Sequence, residues 1–171
     1  MIEMKVMGIA LDTRTGSPIV VLHDKENRRA LPIWIGSAEA SSIIRKIEML
    51  SVSRPMTHDL IISIIEKTGY KLSKVEINDV EKETYYATIF LEDSEGKEIE
   101  IDSRPSDAIA AAIRIDAPIF VTANVLSNGS VSTDSAKDAE EAEEFKNFVQ
   151  SIKPSDFARL MKDNDHHESD Q

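Results

Sequence analysis

The chain predicts an α+β fold: a mostly antiparallel sheet with helices packed on it, forming a single compact domain with a C-terminal helical appendage. Three observations carry this. Runs of strand length rich in Val, Ile and Leu come in two groups of three, separated by turn-like polar residues. Segments with apolar residues at helical spacing follow each group. One stretch, residues 127–135, has the composition of a linker, and what lies beyond it is richly charged.

Residues 3–11, 17–23 and 29–35 read as the first three strands, broken by Thr13-Arg14-Thr15-Gly16 and by Asp24-Lys25-Glu26-Asn27. Short polar breaks make this a meander of antiparallel neighbours. Pro32 cannot donate to a ladder, so it marks an edge or a bulge in the third strand. Ser37 is placed to cap a helix over 38–50, with Ile43, Ile44, Ile47 and Leu50 at helical spacing. A second helix follows Thr57, carries Leu60, Ile61, Ile64 and Ile65 as its apolar face, and stops at Gly69.

Residues 72–80, 83–92 and 97–102 read as three more strands. The middle one is apolar on both faces (Tyr85, Ala87, Ile89 and Leu91 against Tyr86 and Phe90), which predicts cover on both sides. A helix over 106–115 and a short strand at Pro118–Val121 complete a domain spanning 1–126. After the 127–135 linker, residues 136–162 read as an acidic helical appendage with a stripe of Phe145, Phe148, Val149 and Ile152. Residues 163–171 are expected to be disordered.

Composition narrows the function. The chain has no cysteine, which excludes disulfides, Cys-ligated zinc and thiol catalysis. No apolar run reaches the roughly 20 residues of a membrane helix, and no secretory pattern opens the chain, so a cytoplasmic protein without a membrane partner is expected. The net charge of −11 counts against a broad electrostatic grip on nucleic acid. That charge is uneven: residues 134–171 carry 11 acidic and 5 basic groups, a net of −6, which leaves −5 for the first 133. A local positive groove remains compatible with these numbers. Trp34, Tyr85, Tyr86 and Phe90 lie in strand patterns without interleaved Lys or Arg, and so read as core or interface rather than a base-stacking platform.

One phrase occurs twice, about fifty residues apart: Ser53-Arg54-Pro55-Met56-Thr57-His58-Asp59 and Ser103-Arg104-Pro105-Ser106-Asp107. In each, a hydroxyl residue is placed to cap a helix and an Asp sits in its first turn. His58 is the histidine suited to general acid–base work, since imidazole titrates near ~6.5. Asp59, Asp102 and Asp107 are the carboxylates able to share a divalent cation such as Mg²⁺, or else to serve helix dipoles and pair with arginine. Arg54 and Arg104 offer planar forks suited to phosphate, or equally to bridging carboxylates such as Glu39, Asp59 and Asp107.

The order of phrases is more telling than any one of them. Leu31-Pro32-Ile33-Trp34-Ile35-Gly36 with Glu39-Ala40, then Arg54-Pro55-Met56-Thr57-His58-Asp59-Leu60, then Asp102-Ser103-Arg104-Pro105-Ser106-Asp107-Ala108-Ile109-Ala110, then Pro118-Ile119-Phe120-Val121, resembles the bifunctional nuclease family. The resemblance covers roughly residues 4–126. It implies a nuclease acting on both RNA and DNA, on a compact α+β fold that tends to self-associate, so RNA and DNA are the expected partners beside a second copy of the chain. Arg54, Thr57, His58, Asp59, Arg104, Ser106 and Asp107 match the family's polar phrases. On this reading His58, Asp59 and Asp107 form the catalytic group, and Arg54, Thr57, Arg104 and Ser106 hold substrate. Asp59, Asp102 and Asp107 would take the metal. The rival from another class is a non-enzymatic, homo-oligomeric interaction or regulatory protein, in which the arginine phrases tie helix starts to the sheet.

Overall fold

The computed structural model describes residues 1–132. The expected appendage over 136–162 and the tail beyond it lie outside the described residues. The first meander forms as expected from β1 (Ile2–Leu11), β2 (Pro18–Asp24) and β3 (Arg29–Trp34). Its turns are set by two aspartates. Asp12 Oδ1 accepts the N–H of Arg14 at 2.9 Å, and Gly16 follows at φ 71, a left-handed conformation that suits glycine. Asp24 is buried because its Oδ1 accepts the N–H groups of Arg28 (2.7 Å) and Arg29 (3.1 Å) across the next turn.

A second meander follows from β4 (Tyr70–Glu81), β5 (Thr84–Asp93) and β6 (Glu98–Ser103). The two meanders do not pair with each other directly. The three-residue β7 (Ile119–Val121) lies between them, antiparallel to β1 and parallel to β4. Among the described residues the sheet therefore has eight strands in the order β6-β5-β4-β7-β1-β2-β3-β8, where β8 is Val131–Ser132. β8 pairs only with Arg29 and Ala30, so Pro32 lies on the uncovered part of that edge, where a missing N–H costs nothing.

Helices α1 (Ser37–Ile47), α2 (Thr57–Lys67), α3 (Pro105–Ala112) and α4 (Ala123–Gly129) pack on one face of the sheet. Val20, Leu22, Leu31, Val75, Ile77 and Val121 form the sheet side of that core, with Ile43 and Ile109 from the helices. Alternate residues Ala10, Ile19, Val21 and Ala30 make a second, smaller cluster. β5 is not covered on both sides by described elements. Phe90 is shielded by the ammonium of Lys74, 4.1 Å from its ring centroid, and Tyr86 is exposed.

Three expectations need correction. α2 buries His58, Ile62 and Ile65, whereas Leu60 and Ile64 are each 53% exposed, so its inner face is turned from the one the periodicity suggested. α1 ends at Ile47, and residues 48–50 form a turn with Met49 at φ 51. The expected linker from 127 instead carries the end of α4 and then β8. Ser127-Asn128-Gly129 has turn composition, but packing overrides it: Val125 and Leu126 are buried beneath the helix, and Thr122 Oγ1 accepts the N–H of Val125. A Cβ at Gly129 would meet the side chains of Tyr85 and Leu31, one of which would have to shift.

Candidate functional site

The two related phrases start different helices, and the fold brings those helix starts together. In α2, Met56 rather than Thr57 is the N-cap, and Asp59 closes the turn by accepting the Met56 N–H at 2.9 Å. In α3, Arg104 is the N-cap, with Pro105 at the first helical position, where its absent N–H is not missed. Thr57 and Ser106 therefore sit inside their helices instead of capping them. Thr57 is exposed and Ser106 is buried.

His58 is the meeting point. Its Nε2 lies 3.0 Å from Asp107 Oδ1 and its Nδ1 lies 2.8 Å from Ser42 Oγ, on α1. Ser42 Oγ also accepts a hydrogen bond from Arg114 Nη2 at 2.8 Å, so its own proton is free to go to His58 Nδ1. The proton of a neutral imidazole then sits on Nε2 and goes to Asp107. This is a Ser–His–carboxylate chain in distances, but Ser42 is 5% exposed and His58 7%. Neither can meet a polymeric substrate. The expected general acid–base role for His58 is thus not what its geometry offers: both ring nitrogens are engaged, and the imidazole acts on Asp107.

The chain of contacts continues at both ends. Asp107 Oδ2 accepts Arg104 Nε at 2.7 Å, and Arg104 Nη2 reaches Glu39 Oε1 at 2.8 Å. Glu39 approaches closely because Gly36, at the N-cap of α1, has no Cβ to obstruct its carboxylate. At the other end Arg114 donates from Nε to Asp59 Oδ1 (2.7 Å) and from Nη1 to the Ala110 carbonyl (2.7 Å). Glu39, Ser42, Asp59, His58, Asp107 and Arg114 thereby join α1, α2 and α3 through one polar network.

The charges of this network are stabilised by their partners. Burial pushes the Asp107 carboxyl up, but hydrogen bonds from Arg104 and His58 outweigh it and hold the group below the usual carboxylate value. Asp59 is lowered chiefly by the Met56 N–H, against desolvation and with help from Arg114. A carboxylate with a depressed folded pKa stabilises the fold above its unfolded value of ~3.9 and loses that contribution as pH falls through the folded value. Acid unfolding followed by circular dichroism is therefore expected to set in below about pH 4, and Asp107→Asn is expected to flatten that acid limb. An unchanged limb in the variant would contradict the assignment.

The remaining expected residues stand apart. Arg54 is exposed and makes no hydrogen bond or ion pair with the described residues. Asp102 lies on β6 opposite Thr88, two residues before the α3 N-cap, but it lines a surface hollow with Asn78 and Tyr86 and takes no part in the network of the helix starts. Asp59, Asp102 and Asp107 thus do not fit the shared Mg²⁺ ion expected of them. Among the described residues no group of three or more His, Asp or Glu is close enough to hold one. Ser42 and Arg114 were not singled out from the sequence. The available signal is helical phase: Ser42 follows Glu39 by three residues and Arg114 follows Asp107 by seven, which places each on its neighbour's face.

The open part of the site is a pocket of about 410 Å³ at the start of α3. Trp34, Glu83, Thr84, Tyr85, Arg104 and Ser106 line it. Trp34 is 55% exposed, its indole N–H held by Asp12 at 3.2 Å, so of the two expected places, core or interface, it does not take the core. The Arg104 side chain is 66% exposed. Its Nε and Nη2 are held by carboxylates and its Nη1 has no partner among the described residues. Glu83 is the one acidic residue among those lining the pocket, and no ion pair with the described residues occupies it. It sits in a two-residue hairpin tip with Lys82, both left-handed at φ 47 and 66, where Asn or Gly is the usual choice. Such strain is characteristic of positions held for a purpose other than stability.

Comparison with known proteins points one way. The bifunctional nuclease domain model matches residues 20–134. A protein of Mycobacterium tuberculosis, named only as uncharacterized, is 34% identical over 163 residues, covering 91% of this chain and 97% of its own. Bifunctional nuclease 2 of Oryza sativa subsp. japonica is 32% identical over 107 residues, 61% of this chain and 33% of its own. Bifunctional nuclease 1 of Arabidopsis thaliana is 26% identical over 127 residues, 68% of this chain and 39% of its own. The match to these plant proteins thus spans between a third and two fifths of their length.

Proposed function

The chain belongs to the bifunctional nuclease domain family, and from that premise we propose that it hydrolyses phosphodiester bonds in single-stranded RNA and DNA at the Arg104 pocket. The observation that carries the reading is the exposed guanidinium of Arg104, oriented by Glu39 and Asp107 with one edge still free, in a pocket that also holds Trp34 and Glu83. A guanidinium so held binds phosphate without first losing its own freedom, and it is aimed at charge that grows in the transition state. The indole of Trp34 supplies a face on which any base stacks, which suits a substrate range covering both nucleic acids. Glu83 takes the proton of the attacking water as its oxygen bonds to phosphorus, the P–O bond to the departing sugar oxygen breaks, and solvent protonates the oxygen that leaves. His58 is a positioning residue, holding Asp107 against Arg104.

The carboxylates expected to share a metal ion stand apart among the described residues. Metal assistance is tested in the same experiment as the activity. Cleavage of end-labelled single-stranded RNA and DNA is measured with Mg²⁺ and with EDTA, beside Glu83→Gln purified identically. Loss of the base is expected to slow cleavage by about 100-fold. Full activity in the variant, or none in the wild type, would remove the reading.

Self-association is part of the same proposal. Leu60 and Ile64 stand four residues apart on the outer face of α2, exposed beside Met56, and present an apolar stripe suited to the same stripe of a second copy. Sedimentation is expected to show a dimer or larger species for the wild type and a lower mass for Leu60→Glu. Identical masses would place the contact elsewhere.

No helix among the described residues is long and apolar enough to cross a membrane.

A further inference from the structure

A second pocket, of about 240 Å³, opens between the end of α1, the 48–56 loop and the first turn of α2. Its polar lining is Arg45, Lys46, Arg114 and Asp59. Three cations thus face one carboxylate, in a chain of net charge −11. Asp59 is already committed, one oxygen to the Met56 N–H and the other to Arg114 Nε. Arg45 is not: its Nε is buried and has no acceptor among the described residues. No carboxylate among the described residues pairs with the Arg45 guanidinium, so its outer N–H groups are available to an anion that enters the pocket.

The simplest account of Arg45 and Lys46 is that they complement the C-terminal end of the α1 dipole. The carbonyls of that end are, however, already satisfied by the chain itself. Met49 N–H bonds to Lys46 O (3.2 Å) and Leu50 N–H to Arg45 O (2.9 Å), the pattern that closes a helix through a left-handed residue. That left-handed residue is Met49, at φ 51 where glycine is the usual choice, and it is 88% exposed. A left-handed methionine exposed to solvent is less favourable there than glycine. With Leu50, Val52 and Met56 it makes the apolar wall of this pocket.

We propose that this pocket binds a phosphomonoester whose remaining part is apolar or aromatic, with the phosphate on Arg45 and Lys46 and the other part against the methionine wall. Choosing a nucleoside monophosphate as that ligand rests on the nuclease reading, since phosphodiester hydrolysis leaves phosphomonoester ends. The cation cluster and the wall do not depend on it.

The test is calorimetric titration of the full chain with AMP, with inorganic phosphate and adenosine as separate arms at one ionic strength. AMP is expected to bind more tightly than either fragment. Arg45→Gln is expected to weaken it by about tenfold or more, the loss of one charge-assisted contact, and Arg104→Gln is expected to leave that Arg45-dependent binding in place. Lys46→Gln, at an exposed position, carries the test if Arg45→Gln does not fold. No AMP binding, or binding that neither the Arg45 nor the Lys46 variant weakens, overturns the inference. Binding lost only in Arg104→Gln also overturns it, by placing AMP in the nuclease pocket and leaving the nuclease reading intact. Intact AMP binding through Arg45 in a chain that cleaves nothing would leave this site standing and remove the other.

Discussion

Replacing Arg114 by alanine is expected to destabilise the protein by about 3 kcal/mol, since a nearly buried guanidinium with three acceptors is lost while the Asp59 left behind is still partly solvated. The Arg114 side chain is 9% exposed, and it serves Asp59, the Ala110 carbonyl and Ser42 at once. Its loss leaves Asp59 without its ion-pair partner and removes the donor that orients Ser42 towards His58. For a chain of this length the change corresponds to a fall in melting temperature of about 10 °C. Arg114→Lys is expected to recover only part of it, because an ammonium cannot span three acceptors as the guanidinium does. Arg54→Ala is the natural control: exposed and unpaired with the described residues, it is expected to stay within about 0.5 kcal/mol of the wild type. A small effect at Arg114 would mean that the network does not tie the three helices together.

Arg104→Ala is expected to show the opposite balance. Its side chain is 66% exposed, so its ion pairs with Glu39 and Asp107 are screened and contribute about 1 kcal/mol or less to stability. Its effect on phosphate charge in the transition state outweighs this. Removing one such donor commonly slows a reaction by about 100-fold or more. Cleavage is therefore expected to fall by that order while the melting temperature moves by only a few degrees. A melt that collapses with the activity would instead make Arg104 a structural residue, as in the non-enzymatic reading of this phrase.

The contrast between these arginines explains how far the sequence could be read. The two meanders were legible because β-branched residues alternate along them and polar turns separate them, as between β1 and β2. β7 was legible as a strand, but three residues hold no information about neighbours, so its place between β1 and β4 was not. α4 was hidden because Ser127, Asn128 and Gly129 favour a turn locally, and only burial of Val125 and Leu126 decides for a helix. In the site, the repeated Ser-Arg-Pro phrase correctly marked two helix starts that meet in space through His58 and Asp107. It also suggested equivalent roles for Arg54 and Arg104. Their local sequences are alike, but Arg104 has Glu39 and Asp107 within reach, whereas Arg54 has no described partner. Ser42 and Arg114 are identified only by tertiary contact.

Trp34 is the single tryptophan of the chain and lines the Arg104 pocket, so its fluorescence reports on that pocket alone. The decisive measurement is a titration of this signal with a non-cleavable single-stranded oligonucleotide, in the wild type and in Arg104→Ala. Saturable quenching in the wild type, weakened by about tenfold or more without Arg104, is the expected result. An unresponsive Trp34, or the same curve in both proteins, would contradict the claim that a nucleic-acid strand is held at this pocket.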